Sequence, residues 1–223
     1  MFIDYMQKGG HLMWPLLFCS VLAGAIFLER TTYYTRVSLN LGEFLRGLSN
    51  LIRNQRWAEA QVECASVSTP VTRVLHAAII RHDASREDLK AVVQEAGQME
   101  VPRLEQRLSV LAGIGVVAPL IGLLGTVTGM IEVFSVIASQ SGVTSSTELA
   151  GGIYQSLLTT AAGLAVAIPC AMGYAFLSSR VNGLLHDMER AGIEVVHMIV
   201  DQRGGSQIID FGTGARASRA QGD

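Results

Sequence analysis

Charge is what this sequence lacks most, and the lack comes in blocks. Only 16% of its 223 residues are Asp, Glu, Lys or Arg, where soluble domains carry about a quarter. Residues 9–28, 108–131 and 149–179 hold none at all. A disulfide framework is missing too. The three cysteines, Cys19, Cys64 and Cys170, are scattered, and no His/Cys grouping has metal-ligand spacing. The glycines of "GIGVVAPLIGLLG" follow no strand and carry no Lys-Ser/Thr, which excludes a phosphate loop. No serine stands in an elbow context, so the residues hold no catalytic constellation and imply neither an enzyme, a cofactor nor a metal. A net charge of −2 offers nothing to nucleic acid.

What is present is apolar length. A helix needs about 20 apolar residues to cross ~30 Å of hydrocarbon, and each uncharged block meets that requirement. The expected fold is an all-α integral membrane protein with three transmembrane helices, at 11–29, 108–138 and 150–179, and long helical extensions. "HLMWPLLFCSVLAGAIFLER" lacks a small-x-small cleavage site, and Trp14 with Glu29–Arg30 resemble interface anchors, so it is expected to be retained. Residues 30–107 hold eleven Lys plus Arg, the tail after residue 179 holds five, and the loop "SQSGVTSSTELA" holds none. Basic residues stay cytoplasmic. This places 1–10 and the loop 139–149 in the periplasm, and 30–107, the helix 180–203 and the tail 204–223 in the cytoplasm of an inner-membrane protein.

The expected cytoplasmic part is helical. Leu41, Phe44, Leu45, Leu48 and Ile52 recur on one helix face, and so do Val181, Leu184, Leu185, Met188, Val195, Val196 and Ile199. Thr69–Pro70 has the form of an N-cap followed by proline, and Ser85 with Asp88 the outline of a capping box. The helix opening at Ser85 is expected to run on into the second span, with Pro102 as its kink or break. The Gly- and Ser-rich residues 204–223 suggest a flexible tail.

The polar residues of the second and third spans carry the functional question. Gly122, Gly125, Gly129 and Gly163 suit close helix packing, while each threonine alone is best explained by a bond to the preceding turn's carbonyl. Depth adds a second reading. About a loop centre near residue 144, Thr126 lies 18 residues before and Thr160 lies 16 after; Glu132 lies 12 before and Gln155 lies 11 after. Two polar layers at matched depth suggest a path through the membrane, and an intramembrane ionisable residue such as Glu132 is a functional candidate. Thr128 and Thr159 are weaker members of that set. Six residues at ~100° each turn Glu132 well away from Thr126, so Glu132 is equally open to an interface role.

"APLIGLLGTVTGM" and "QSLLTTAAGLAVAIP" resemble the ExbB/TolQ/MotA proton-channel family, and the opening "GGHLMWPLLFCSVLAGAIFLER" resembles its short ExbB-type members. The resemblance covers about residues 9–200 and implies a homopentamer around a dimer of single-span ExbD- or TolR-like helices. The partner's aspartate takes up and releases protons, and a TonB- or TolA-like client receives the work. The family's ring threonines match Thr126 and Thr160. A glutamate common in ExbB and TolQ members is Gln155 here, with Glu132 as a candidate for the relocated carboxylate. The resemblance leaves open an ExbB role in outer-membrane transport, a TolQ role in envelope integrity and division, and a non-conducting membrane scaffold.

Overall fold

The computed structural model describes residues 9–37, 41–139 and 146–217, with side chains described up to 139 and again over 149–204. Within them the chain is helical and holds no strand. The helices are α1 (Met13–Val37), α2 (Leu41–Arg53), α3 (Trp57–Ser66), α4 (Pro70–Ile80), α5 (Arg86–Glu105), α6 (Leu108–Ser139) and α7 (Ser146–Ala217). Three stretches are long and apolar enough to cross a membrane, one in each of α1, α6 and α7. In hydrocarbon every backbone polar group must be satisfied within the chain, which is why such uncharged blocks become unbroken helices.

Contacts divide the chain into two compact units, one of residues 1–33 and 105–179, the other of 34–104 and 180–223. In the first unit, Met13, Leu16, Ala118 and Ala167 form the core, with Ile121, Ala162 and Val166 packed against it. Phe27 lies over Gly173, and its ring centroid is 6.4 Å from that of Phe176. Gly10, at φ +75°, makes the turn into α1, where the Met13 N–H donates to the Gly10 carbonyl at 3.2 Å. Pro15 falls in the first helical turn, where its missing N–H leaves no bond unmade.

The second unit packs short amphipathic helices and the later turns of α7. Leu45, Leu48 and Ile52 are buried from α2, and Val181, Leu184, Met188, Val195, Val196 and Ile199 from α7, as the periodicity predicts. Thr69 caps α4, accepting from the Thr72 N–H at 3.3 Å while Thr72 Oγ1 accepts from the Thr69 N–H at 3.0 Å. At α5 the Asp88 N–H donates to Ser85 Oγ at 3.1 Å, but the return bond runs between side chains, from the Ser85 hydroxyl to Asp88 Oδ2. Glu100, 4% exposed, joins α4 to α5 by accepting from Arg73 at 2.9 and 2.5 Å and from Arg103 at 2.7 Å.

Two details depart from the sequence reading. Pro102 lies inside α5 and does not break it. The break falls instead at Gln106–Arg107, where Arg107 takes φ +68° and pairs with Glu29. α7 carries residues 204–217 in its helical backbone where composition suggested a flexible tail; 218–223 lie outside the described residues.

Candidate functional site

Within the first unit, α6 and α7 meet along a seam without bulk. A Cβ built on Gly122 would lie 3.1 Å from Thr160 Cα and 3.2 Å from the Thr159 carbonyl oxygen. One built on Gly163 would lie 2.7 Å from the Ala118 carbonyl and 3.1 Å from Gly122 Cα. These neighbours are backbone atoms and cannot swing aside. Gly125 is filled by the Thr159 side chain, Gly129 by Ser156, and Gly152 faces Val133. This ladder sets the register. Opposite Gly125 stands Thr159, so Thr126 and Thr160 lie about two residues, ~3 Å, apart along the seam, and Glu132 and Gln155 are offset by about the same.

The ladder also sorts the candidates by face. Ile121 on α6 and Ala162 and Val166 on α7 pack towards the Met13 and Leu16 core of α1. At ~100° per residue, Thr126 points about 140° away from Ile121, and Thr160 about 160° away from Ala162. Both threonines, half-buried, therefore share the flank opposite α1. Thr128 and Glu132 lie within about 20° of Ile121, and Gln155 within about 20° of Ala162, on the α1 side. The structure thus brings Thr126 and Thr160 together and keeps Glu132 and Gln155 apart from them.

The hydroxyl bonds have a direction. A carbonyl has no proton to give, so the threonine must donate. Thr160 Oγ1 donates across the seam to the Gly122 carbonyl at 3.0 Å, the same oxygen that caps the Thr126 N–H in the helical pattern. Thr126 Oγ1 donates to the Leu123 carbonyl at 2.6 Å. Thr128 likewise bonds the Leu124 carbonyl, at 2.9 Å. With their protons engaged, Thr126 and Thr160 offer the open flank oxygen lone pairs.

Thr159 is 2% exposed, and its hydroxyl lies 3.0 Å from the Gly9 carbonyl and 2.9 Å from that of Gln155. A Cβ on Gly10 would lie 2.6 Å from Gln155 Nε2. Sequence reasoning did not find this contact between the turn before α1 and α7, because residues 150 apart have no local signal. Ser156, 3% exposed, fills the space beside Gly129. Among the described residues no group of three His, Cys, Asp or Glu could hold a metal ion.

The description of the MotA/TolQ/ExbB proton channel family matches residues 66–190. The chain is 32% identical over 180 residues to the biopolymer transport protein exbB1 of Vibrio cholerae, covering 77% of each. It is 29% identical over 188 residues to the Tol-Pal system protein TolQ of Haemophilus influenzae, covering 77% of this chain and 80% of that one. It is 32% identical over 173 residues to an ExbB-like biopolymer transport protein of Synechocystis sp., covering 74% of this chain and 66%, just under two thirds, of that relative.

Proposed function

The chain belongs to the MotA/TolQ/ExbB proton channel family, and from that premise we propose that it is an ExbB-like subunit of an inner-membrane proton channel and motor. In this reading five copies enclose a dimer of single-span ExbD- or TolR-like helices, and proton flow through the assembly drives a TonB-like client of outer-membrane transport. The N-terminus is periplasmic, and residues 30–107 and the C-terminus are cytoplasmic. The observation that carries the reading is the pairing of Thr126 and Thr160 on the one flank of the seam that α1 leaves open. Two hydroxyls on that flank give a polar surface without a fixed charge.

Their bonding adds chemistry. Lone pairs facing the path accept a hydrogen bond from a protonated carboxyl group of the partner. To solvate its carboxylate, Thr160 must leave the Gly122 carbonyl for a new acceptor. The resting arrangement therefore favours the protonated acid, and the change of partner couples proton release to movement at the seam. Transfer of one charge down 100 mV yields about 2.3 kcal/mol, enough to break a bond of this kind.

Thr126→Val and Thr160→Val keep shape and remove the hydroxyl. Each variant should reach the membrane and co-purify with its single-span partner, yet lose proton-motive-force-dependent transport. Full transport by both, at normal levels and with partner bound, would refute the assignment. The TolQ relative supports a second client, a TolA-like protein of the envelope. Complementation of strains lacking one system or the other separates the two.

A further inference from the structure

On the α1 side of the first unit, a groove of about 610 Å³ runs between α1 and α7. Ser20, Ala23, Gly24 and Phe27 line it from α1, and α7 lines it from Ala165 to Phe176. The walls carry no charge. A Cβ built on Gly24 would meet nothing within 4 Å, so the groove is open there. From Ala165 to Phe176 it extends roughly 16 Å along α7. That is close to the half of a ~30 Å hydrocarbon layer that belongs to one leaflet.

At the Phe27 end the same face of α1 carries a charge. Arg30 lies within about 20° of the direction of Ala23 and one turn beyond Phe27, yet it is 5% exposed. Its Nη2 donates to Gln106 Oε1 at 3.5 Å, its Cζ lies 5.6 Å from the centroid of the Tyr33 ring, and its Nε has no partner. A bond of 3.5 Å is at the limit of hydrogen bonding. Among the described residues no carboxylate pairs with Arg30, and the adjacent Glu29 is taken by Arg107. Buried arginines are ordinarily paired, because a buried charge without a counter-charge is costly. Arg30 lacks the anion that its burial calls for.

We propose that the groove holds an acyl chain of a phospholipid, whose phosphate binds the Arg30 guanidinium. The groove supplies apolar shape without charge, and Arg30 supplies charge without a partner. A phospholipid brings an apolar chain of one leaflet's length and an anion in one molecule. A second copy does not match both, because residues 9–28, 108–131 and 149–179 hold no Asp or Glu. A helix of another copy laid in the groove through those spans would bring Arg30 no carboxylate. On binding, the long bond to Gln106 gives way to charge-assisted bonds to phosphate oxygens, which are shorter and stronger. In the orientation proposed above the lipid belongs to the cytoplasmic leaflet. The site itself rests on the membrane-spanning fold and not on proton conduction.

The test uses the full chain in mild detergent, mixed with anionic phosphatidylglycerol or with zwitterionic phosphatidylcholine of the same acyl chains. Native mass spectrometry counts the lipids retained per chain. The wild-type protein should retain one phosphatidylglycerol per chain, in preference to phosphatidylcholine. Gly24→Leu fills the open part of the groove and should lose that lipid with the number of protein copies unchanged. Arg30→Gln should still retain a lipid but without preference between the two, and Arg30→Lys should keep the preference. A lipid count unchanged in Gly24→Leu, or a preference unchanged in Arg30→Gln, would overturn the proposal. So would a Gly24→Leu protein that keeps its lipid and loses copies, since a second copy would then occupy the groove.

Discussion

Thr160 donates to a carbonyl of another helix, whereas Thr126 and Thr128 donate to their own. Only the first ties two helices together. Cross-helix bonds in membranes average about 0.6 kcal/mol and reach about 1.7. Thr160→Val should therefore lower the thermal stability of the purified protein by an amount in that range, and Thr126→Val should leave it nearly unchanged. Equal losses in a melting assay would mean that the seam bond contributes nothing. In the second unit two buried groups bracket the pH range of stability. Burial pushes the Glu100 carboxyl up, but the hydrogen bonds and charges of Arg73 and Arg103 outweigh it and hold it below the ordinary 4.5. A depressed carboxyl stabilises the fold above its unfolded value, so this contribution fades as pH falls below about 4.5. Burial, then the Glu63 charge, push the Cys64 thiol from 9.0 up to about 12. A raised thiol favours the fold below pH 9.0 and loses that contribution between 9.0 and about 12. Denaturant titrations of Glu100→Gln and Cys64→Ala should show a flatter acid and a flatter alkaline limb respectively. Wild-type slopes in both would remove these residues from the account.

At the scale of elements, the glycines separate into those that meet another helix and those that do not. Gly163 meets backbone atoms, and Gly113 on α6 has nothing within 4 Å. Gly163→Ala should force α6 and α7 apart and sharply reduce folded protein. Gly113→Ala should be tolerated, or stabilise by up to ~1 kcal/mol. The yield of monodisperse protein after detergent extraction distinguishes them, and a normal yield of Gly163→Ala would show that the helices are not in contact there. Much of this level was legible in the sequence. Uncharged length announced the three apolar helices, apolar periodicity the buried faces of α2 and α7, and Thr69–Pro70 the start of α4. The α5–α6 break was not legible, because an arginine with positive φ gives no compositional sign. The hydroxyl directions and the Gly9–Thr159 contact were hidden for another reason. Both depend on the register between helices, which depth counting fixed only to within a turn.

At the scale of the whole molecule, a single copy leaves large apolar side chains of its three long helices uncovered. Phe18, Val21 and Leu28 of α1, Leu120, Leu123 and Val127 of α6, and Leu157, Ile168 and Met172 of α7 are all exposed. Lipid can cover such side chains, so apolar exposure alone does not require other copies. The open flank of the seam is different. Lipid offers nothing to the lone pairs of Thr126 and Thr160, whereas copies arranged in a ring would turn that flank towards a common interior and leave α1 at the outside. On the proposed reading, native mass spectrometry of the detergent-extracted protein should give five copies, and co-expression with an ExbD- or TolR-like single-span protein should add two further chains to the same particle. Thr126→Val with Thr160→Val should keep that stoichiometry, because the proposed reading gives their hydroxyls to the interior and not to the contact between copies. A stable monomer from gently extracted membranes would leave the two hydroxyls without an enclosed path and would count against the channel reading as a whole.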